Sequence, residues 1–429
     1  MTADFPNIRH MRVLAEAVRA GSVSVAAGRC HLSQPAATQA IAGLEKDLGT
    51  PLLIRRTREL TPTPEGAAFA RRVGAALAHL DRGAREALKS GRSEGGAGSR
   101  KAGFDRLVTA AQLRALIAIA NAGSFTVAAR DLGVSQPTIH RTARNLEALS
   151  GLTFFTATAV GVELTAAAQA FVLGAKLAQA EIRQGIEEIG RALGTQEGSF
   201  SIGSLPLART SIVPQAVDAM VRRSGRMQIR VVDGRYPQLL RGLREGDLDC
   251  IIGALRDPVP AEDVVQEPLF DDPLALVAHP SHPLFRKASP TVEDTLAYPW
   301  VAPPRETPAG SYLYETLRIH DRDSTPVRVV SSSLVFLRGL LAQGPYVTII
   351  SRHQIGVEEA NGHLKPLPIR LDNNARGIGL TYRADWRPTV AQAEFLDLLR
   401  RSAAAAAASQ APEPWGEAHA VRDIADSAL

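Results

Sequence analysis

The residue types able to do chemistry in this chain are chiefly guanidinium, hydroxyl and amide groups. Arg55-Arg56-Thr57-Arg58 sets three cations within four positions, between Leu52-Leu53-Ile54 and Leu60-Thr61-Pro62-Thr63. Two short apolar runs around a polar centre predict a β-hairpin wing. A cationic tip on it suits phosphates and narrow minor grooves, where the negative potential is strongest. Standing alone, such a tip is only an exposed basic loop. The segment before it changes the picture. Ser33 can cap a helix with Pro35 in its first turn and Ala37, Ile41, Leu44 and Leu48 as its buried stripe. A shorter helix through Ala26-Ala27, capped by Ser24, precedes it. Gly21-Ser22 ends a first helix that carries Ile8, Met11, Leu14, Ala15 and Val18. Two short helices on a tight turn, followed by a basic hairpin, point to nucleic acid.

Other candidate centres are thin. His279 and His282 could form a metal pair, but no further ligand cluster accompanies them, and Asp271-Asp272 reads as a pair of acidic turn residues. No Walker loop occurs, and the Gly-x-Ser-x-Gly match at Gly91-Arg92-Ser93-Glu94-Gly95 falls in the expected tether, not on a strand-to-helix turn, so no nucleophile elbow is read. The two cysteines, Cys30 and Cys250, cannot build a disulfide framework or a thiolate zinc site, and Cys30 reads as a small buried apolar residue. No catalytic residues, no metal and no cofactor are expected.

The elements that must position these groups occur twice. Gly21-Ser22-Val23-Ser24-Val25-Ala26-Ala27 recurs as Gly123-Ser124-Phe125-Thr126-Val127-Ala128-Ala129, Ser33-Gln34-Pro35 as Ser135-Gln136-Pro137, and Leu44-Glu45 as Leu146-Glu147, each 102 positions on. After a two-residue insertion, Leu60-Thr61 would match Leu164-Thr165. The second wing, Thr156-Ala157-Thr158-Ala159-Val160-Gly161, holds no cation, whereas the third helix of that copy offers His140, Arg141 and Arg144. A second, weaker DNA contact and a copy kept for packing are both open.

Composition agrees with this organisation. The 429 residues are 45% hydrophobic and 22% charged, as in a globular protein of two or three domains. No apolar run reaches the ~18 residues of a membrane span, and the N-terminus lacks the pattern of a secretory signal, so a reducing cytoplasm is expected. Residues 1–100 hold 15 Lys+Arg against 9 Asp+Glu, residues 101–200 hold 9 against 8, and the remainder 25 against 27. That asymmetry suggests a polyanion-binding module on a neutral body.

Ala26-Ala27, Leu32-Ser33-Gln34-Pro35-Ala36-Ala37-Thr38, Ile41, Leu44-Glu45, Leu48-Gly49, Leu52-Leu53 and Leu60-Thr61-Pro62-Thr63-Pro64-Glu65-Gly66 resemble the winged helix-turn-helix of LysR-type transcriptional regulators. The resemblance implies that Ser33, Gln34, Pro35, Thr38 and Gln39 enter the major groove of double-stranded DNA, with Arg55, Arg56 and Arg58 on the wing. Gln39 stands where that family usually has a basic residue. In the second copy the third helix offers His140, Arg141 and Arg144 beside Ser135, Gln136 and Thr138 as candidate DNA contacts.

A long helix follows each copy. Phe69, Val73, Ala76, Leu77, Leu80, Ala84 and Leu88 line the first, and Phe171, Ala175, Ala178, Ile182, Ile186, Ile189 and Leu193 the second. Both seams suit a partner helix. In the family such helices pair two protomers. Here they could pair within one chain, across a flexible tether that includes Gly91 to Ser99, or between chains.

Beyond Ser199 the pattern becomes β-α-β-α-β. Phe200–Gly203, Met227–Val232 and Asp247–Gly253 read as strands, and Thr210–Val221 and Tyr236–Leu243 as helices. Leu274–Ala278 would cross to a second α/β segment containing Val327–Val330 and Val347–Ile350. Gly377–Thr381 would return, and a helix Val390–Leu399 would close the first lobe. Two lobes with two crossings resemble the LysR effector domain, itself similar to periplasmic solute-binding proteins. Gly246-Asp247-Leu248-Asp249 and His279-Pro280-Ser281-His282-Pro283-Leu284 fit that pattern. Ligands of such sheets bind where strand ends and helix N-termini converge. This nominates Ser204, Leu205, Pro206, Thr210, Gly253 and Arg256 from one lobe, and Arg305, Thr307, Ser332 and Ser333 from the other. Each can equally be a cap or turn residue. The second lobe is similar to the galactose-binding-protein-regulator subgroup, which implies a sugar or an aromatic acid; a carboxylate is the other expectation.

The expected architecture is multidomain, α+β and α/β: winged helix 5–64, linker helix 65–90, tether 91–103, winged helix 104–165, linker helix 166–194, a two-lobed effector domain 198–401, and an Ala-rich tail 402–429 expected to be disordered. The expected function is a homo-oligomeric (dimeric or tetrameric) DNA-binding regulator switched by a small molecule, with no membrane partner. The alternative is a cytoplasmic small-molecule-binding protein with vestigial DNA modules.

Overall fold

The computed structural model describes residues 5–55, 60–93, 101–159, 161–195, 198–320 and 326–409. The first winged helix comprises α1 (Ile8–Ala20), α2 (Val23–Arg29), α3 (Gln34–Leu48), β1 (Leu53–Arg55) and β2 (Leu60–Pro62), and runs into the long α4 (Pro64–Ser93). The second repeats it as α5 (Ala110–Ala122), α6 (Phe125–Asp131), α7 (Gln136–Ser150), β3 (Phe155–Thr158) and β4 (Gly161–Leu164), followed by α8 (Ala166–Ala192). Ser22, not Ser24, caps α2, accepting from Val25 N, because Ser24 already lies inside the helix.

The two-residue insertion is absent. Leu53 pairs with Pro62 and Phe155 with Leu164, and Thr63 and Thr165 cap α4 and α8 alike, so the 102-residue register holds through the wing. Helix α4 continues to Ser93, past the expected start of the tether, and Leu193 lies beyond α8, exposed, outside the seam.

α4 and α8 pack antiparallel within the chain. A Cβ on Gly174 would lie 2.6 Å from His79 O and 3.0 Å from Gly83 Cα, so the helices touch backbone to backbone there. A Cβ on Gly185 would lie 3.1 Å from Arg72 Cβ. Shifting Gly83 and Arg72 by one repeat gives Gly185 and Gly174, so these two contacts exchange under an internal two-fold axis. Phe69, Val73, Ala76, Leu80, Phe171, Ala175, Ala178 and Ile182 are buried in one continuous core with both winged helices. Arg72 crosses the seam to Glu181 (3.0 Å), Gln184 (2.8 Å) and Glu188 (2.6 Å).

The C-terminal half holds β5 (Ser199–Ser204), α9 (Ile212–Arg223), β6 (Gln228–Asp233), α10 (Tyr236–Arg244), β7 (Cys250–Ala254) and the long β8 (Val264–Ala278). Then come α11 (Val292–Thr295), β9 (Trp300–Ala302), α12 (Pro308–Ser311), β10 (Val327–Val330), α13 (Leu334–Leu341), β11 (Val347–Ser351), α14 (Gly356–Ala360), β12 (Lys365–Pro366), β13 (Ala375–Arg383) and α15 (Val390–Ser409). Strand order is β10-β9-β11-β8-β13-β7-β5-β6, with β12 on β8. Residues 264–273 of β8 pair with β13, and residues 274–277 with β11, so one strand serves both lobes and the hinge falls inside it. The expected parallel sheet is parallel for β6-β5-β7 and becomes antiparallel at β13.

Lobe one sits on α8. Lys176 Nζ reaches Glu245 (2.7 Å) and Asp247 (3.1 Å), Ser199 Oγ donates to Glu187 (2.5 Å), Arg191 pairs with Glu394 (3.0 Å), and Gly246 abuts Ala180 and Leu177.

Candidate nucleic-acid interface and effector cleft

Helices α3 and α7 are set by the same devices. Ser33 Oγ accepts from Ala36 N at the start of α3, and Ser135 Oγ accepts from Thr138 N at the start of α7, with a 2.8 Å contact to Thr138 Oγ1. Glu45 Oε1 accepts from Leu52 N (2.8 Å) and Leu53 N (3.2 Å), and Glu147 Oε1 from Phe154 N and Phe155 N at the same two distances. The repeated Leu-Glu pair is thereby explained: the leucine is buried and the glutamate ties the wing to the third helix of its copy.

Ser33, Gln34, Pro35 and Gln39 are exposed, and Thr38 is half-buried on the same edge. In the second copy Ser135, Gln136, Arg141 and Arg144 are exposed and Thr138 is half-buried. His140 is half-buried and stacks on Phe125 with ring centroids 4.0 Å apart, so packing occupies it. Arg144 pairs with Glu147 Oε2 at 2.9 Å. Arg55 closes β1, while Arg56 and Arg58 lie outside the described residues. The second wing is bonded to the α5–α6 turn: Val162 N donates to Gly123 O (2.9 Å), and a Cβ on Gly161 would lie 2.5 Å from that oxygen.

In the two-lobed half, the ten nominated residues do not converge on one pocket. Ser204 is fully buried at the end of β5, and Leu205 N donates to Ile252 O beside Gly253, where a Cβ would strike the Leu205 side chain. Pro206 opens a 3-10 turn. Thr307 and Ser333 are consumed as caps of α12 and α13, accepting from Gly310 N and Phe336 N. Ser332 is exposed. Arg305 lies over the Tyr314 ring at 4.5 Å and lines an open cavity of about 470 Å³ with Ser311, Glu315, Arg318 and His320. Thr210 does face the other lobe, its Oγ1 3.5 Å from His353 O. With Ser211, Gln215, His353, Gly356 and Val357 it lines an interlobe cavity of about 210 Å³.

The strongest polar arrangement was not nominated. Asp272 is no turn residue: it is fully buried in β8, one position from the change of partner strand. It accepts from Ser351 Oγ (2.8 Å), His353 Nδ1 (2.8 Å), Arg376 Nε (3.1 Å) and Arg376 Nη2 (3.0 Å). Burial alone would raise its pKa, but the bonds from His353, Arg376 and Ser351 outweigh it and hold the carboxyl below its ordinary value. Nearby, the Arg256 guanidinium lies 4.3 Å over the Tyr236 ring, and Arg256 and Gln266 bond each other's backbone and amide. Burial lowers the pKa of Arg256, and Arg376 adds to the effect. Arg256 has no carboxylate partner among the described residues, and Tyr236 Oη and His353 Nε2 are buried without a hydrogen bond. Among the described residues no group of three metal-ligating side chains occurs, and no helix is long and apolar enough to cross a membrane.

The chain matches known proteins along most of its length. Residues 8–67 and again 110–169 match the bacterial regulatory helix-turn-helix of the lysR family, and residues 193–404 match the LysR substrate binding domain. It is 28% identical over 398 residues to the HTH-type transcriptional regulator GalR of Pseudomonas putida, covering 93% of this chain and 98% of that protein. To the regulator PcaQ of Agrobacterium fabrum it is 25% identical over 299 residues, covering 70% of this chain and 96% of that protein. The shorter alignment thus lacks about one repeat. A full-length OxyR variant from Pseudomonas aeruginosa shares the fold, with TM-score 0.51 and 24% identity over 68% of this chain and 93% of that one. A helix-turn-helix module and an effector module of one family, in the order in which they occur here, establish that the chain belongs to the LysR-type transcriptional regulators.

Proposed function

We propose that a single chain carries two DNA readers, residues 5–64 and 104–165, held back to back by α4 and α8. In this reading a periplasmic-binding-protein-like sensor, residues 198–401, binds an anionic, carboxylate-bearing effector at the hinge. Supporting the anion is one observation above all: a half-buried Arg256 without a carboxylate partner, close to Arg376 and to the unpartnered Tyr236 hydroxyl. A guanidinium with donors free is the group that holds carboxylates bidentately. Aromatic acids fit better than sugars, because the Tyr236 ring lies under Arg256 and the Phe270 ring beside His353.

Because lobe one rests on α8, closure of the cleft would move lobe two against an otherwise fixed body. The effector signal would then leave through contacts between the effector domains of neighbouring chains, not through the spacing of readers in one chain. As a DNA-binding regulator the protein would act in the cytoplasm.

A panel of aromatic and aliphatic carboxylic acids and neutral sugars, screened by thermal shift, tests the sensor. At least one carboxylate should raise Tm, since a ligand selective for the native state stabilises it by mass action. Arg256→Met should abolish that shift while leaving the melting temperature of the free protein little changed. Stabilisation by neutral sugars alone would overturn the assignment.

A further inference from the structure

We propose that one chain reads two unlike half-sites of duplex DNA, one through a helix without arginine beside an arginine-bearing wing sequence, the other through an arginine-bearing helix beside a wing without cations. This rests on the assignment of both winged helices as DNA readers. α3 and α7 share their caps and their Glu-to-wing ties, so positions 102 apart occupy the same place on the reading edge. At those places the side chains differ in kind. Gln39 becomes Arg141, Ala42 becomes Arg144, Gly43 becomes Asn145, and Lys46 becomes Ala148. Arg141, Arg144 and Asn145 are all exposed.

The wings differ in the opposite sense. The first carries Arg55, Arg56 and Arg58, whereas residues 155–164 contain no Lys or Arg. The second hairpin is also bonded to the α5–α6 turn through Val162 N and Gly123 O. Cationic groups are therefore not lost from the second copy but moved from wing to helix. A domain kept only for packing has no use for an exposed arginine, Arg141, that lacks a carboxylate partner among the described residues. Arg144 has one, Glu147, whose other oxygen is spent on the wing backbone.

The chemistry of readout then separates the two sites. Arginine pairs bidentately with guanine, and asparagine or glutamine with adenine, in the major groove. A helix presenting Gln34 and Gln39 and one presenting Arg141, Arg144 and Asn145 cannot prefer the same bases. A symmetric dimer of identical readers would favour an inverted repeat. This internal pair favours a site without one, whose halves depend differently on salt and minor-groove shape.

The test is selection of full-length protein on a random 40-base-pair duplex pool, followed by sequencing of the enriched DNA. The expected site has two dissimilar halves. Arg141→Gln with Arg144→Ala should erase the preference in one half only and weaken binding about 5- to 100-fold. The reverse transplant, Gln39→Arg with Ala42→Arg, should draw the halves towards a common sequence, and it keeps the proposal testable if the first variant folds poorly. An inverted repeat with equal halves, or variants that leave the enriched site unchanged, would overturn the proposal. A pool with no enrichment at all would instead remove the DNA-reader assignment beneath it.

Discussion

Asp272 carries the largest electrostatic weight of any single side chain at the hinge. It is fully buried and holds Ser351, His353 and Arg376 together across the two crossings. Asp272→Asn leaves the half-buried Arg376 guanidinium without its counter-charge, and a loss of about 3 kcal/mol is expected in urea unfolding at neutral pH. The pH dependence has a fixed sign. The folded-state pKa lies below the unfolded value near ~3.9, so the contribution of Asp272 is present above that value and disappears as pH falls through the lower folded one. The gap between wild type and Asp272→Asn should therefore close in strong acid; a gap that stays constant from neutral to strongly acid pH would show that the bonds are not ionic. This residue was illegible in the sequence, because nothing in Asp271-Asp272 tells which carboxylate lies under a strand crossing. Glu45 and Glu147 were legible, because the repeat printed them twice in one register.

At the scale of elements, the α4–α8 seam is the main finding. Its apolar residues could be read from spacing, and most are buried as expected, but spacing is identical for a partner in the same chain and one in another. Only the internal two-fold that exchanges Gly83–Gly174 with Gly185–Arg72 separates them. The seam tolerates no bulk at Gly174, where backbone meets backbone. Gly174→Val would push a Cβ to 2.6 Å from His79 O, so a large loss of stability, about 3 kcal/mol or more, is expected in thermal or urea unfolding. Arg72→Ala should cost about 3 kcal/mol as well, since it strands the buried Glu181, and its effect should shrink when combined with Glu181→Gln. Equal, additive losses in that double-mutant cycle would mean that Arg72 acts by packing alone. The residues nominated for an effector were the least legible. Hydroxyls such as Thr307 and Ser333 sit where ligand groups and helix caps look alike in sequence, and the caps won.

For the whole molecule, the consequence is a change in counting. If both winged helices read DNA as proposed, the chain presents two DNA contacts for each effector site, and its linker helices are already paired inside the chain. Assembly with further copies must then use surfaces other than this seam. The most direct measurement is the mass of an oxidised, full-length Arg72→Cys/Gly185→Cys variant, made in a Cys30→Ser background, under denaturing, non-reducing conditions. The two Cβ positions lie 3.1 Å apart across the seam, near the ~3.5–4.5 Å spanned by disulfides. A crosslinked species at the mass of one chain, restored to normal mobility by reductant, is the predicted result. A crosslinked species at the mass of two chains would contradict it, because the readers would then be paired between molecules.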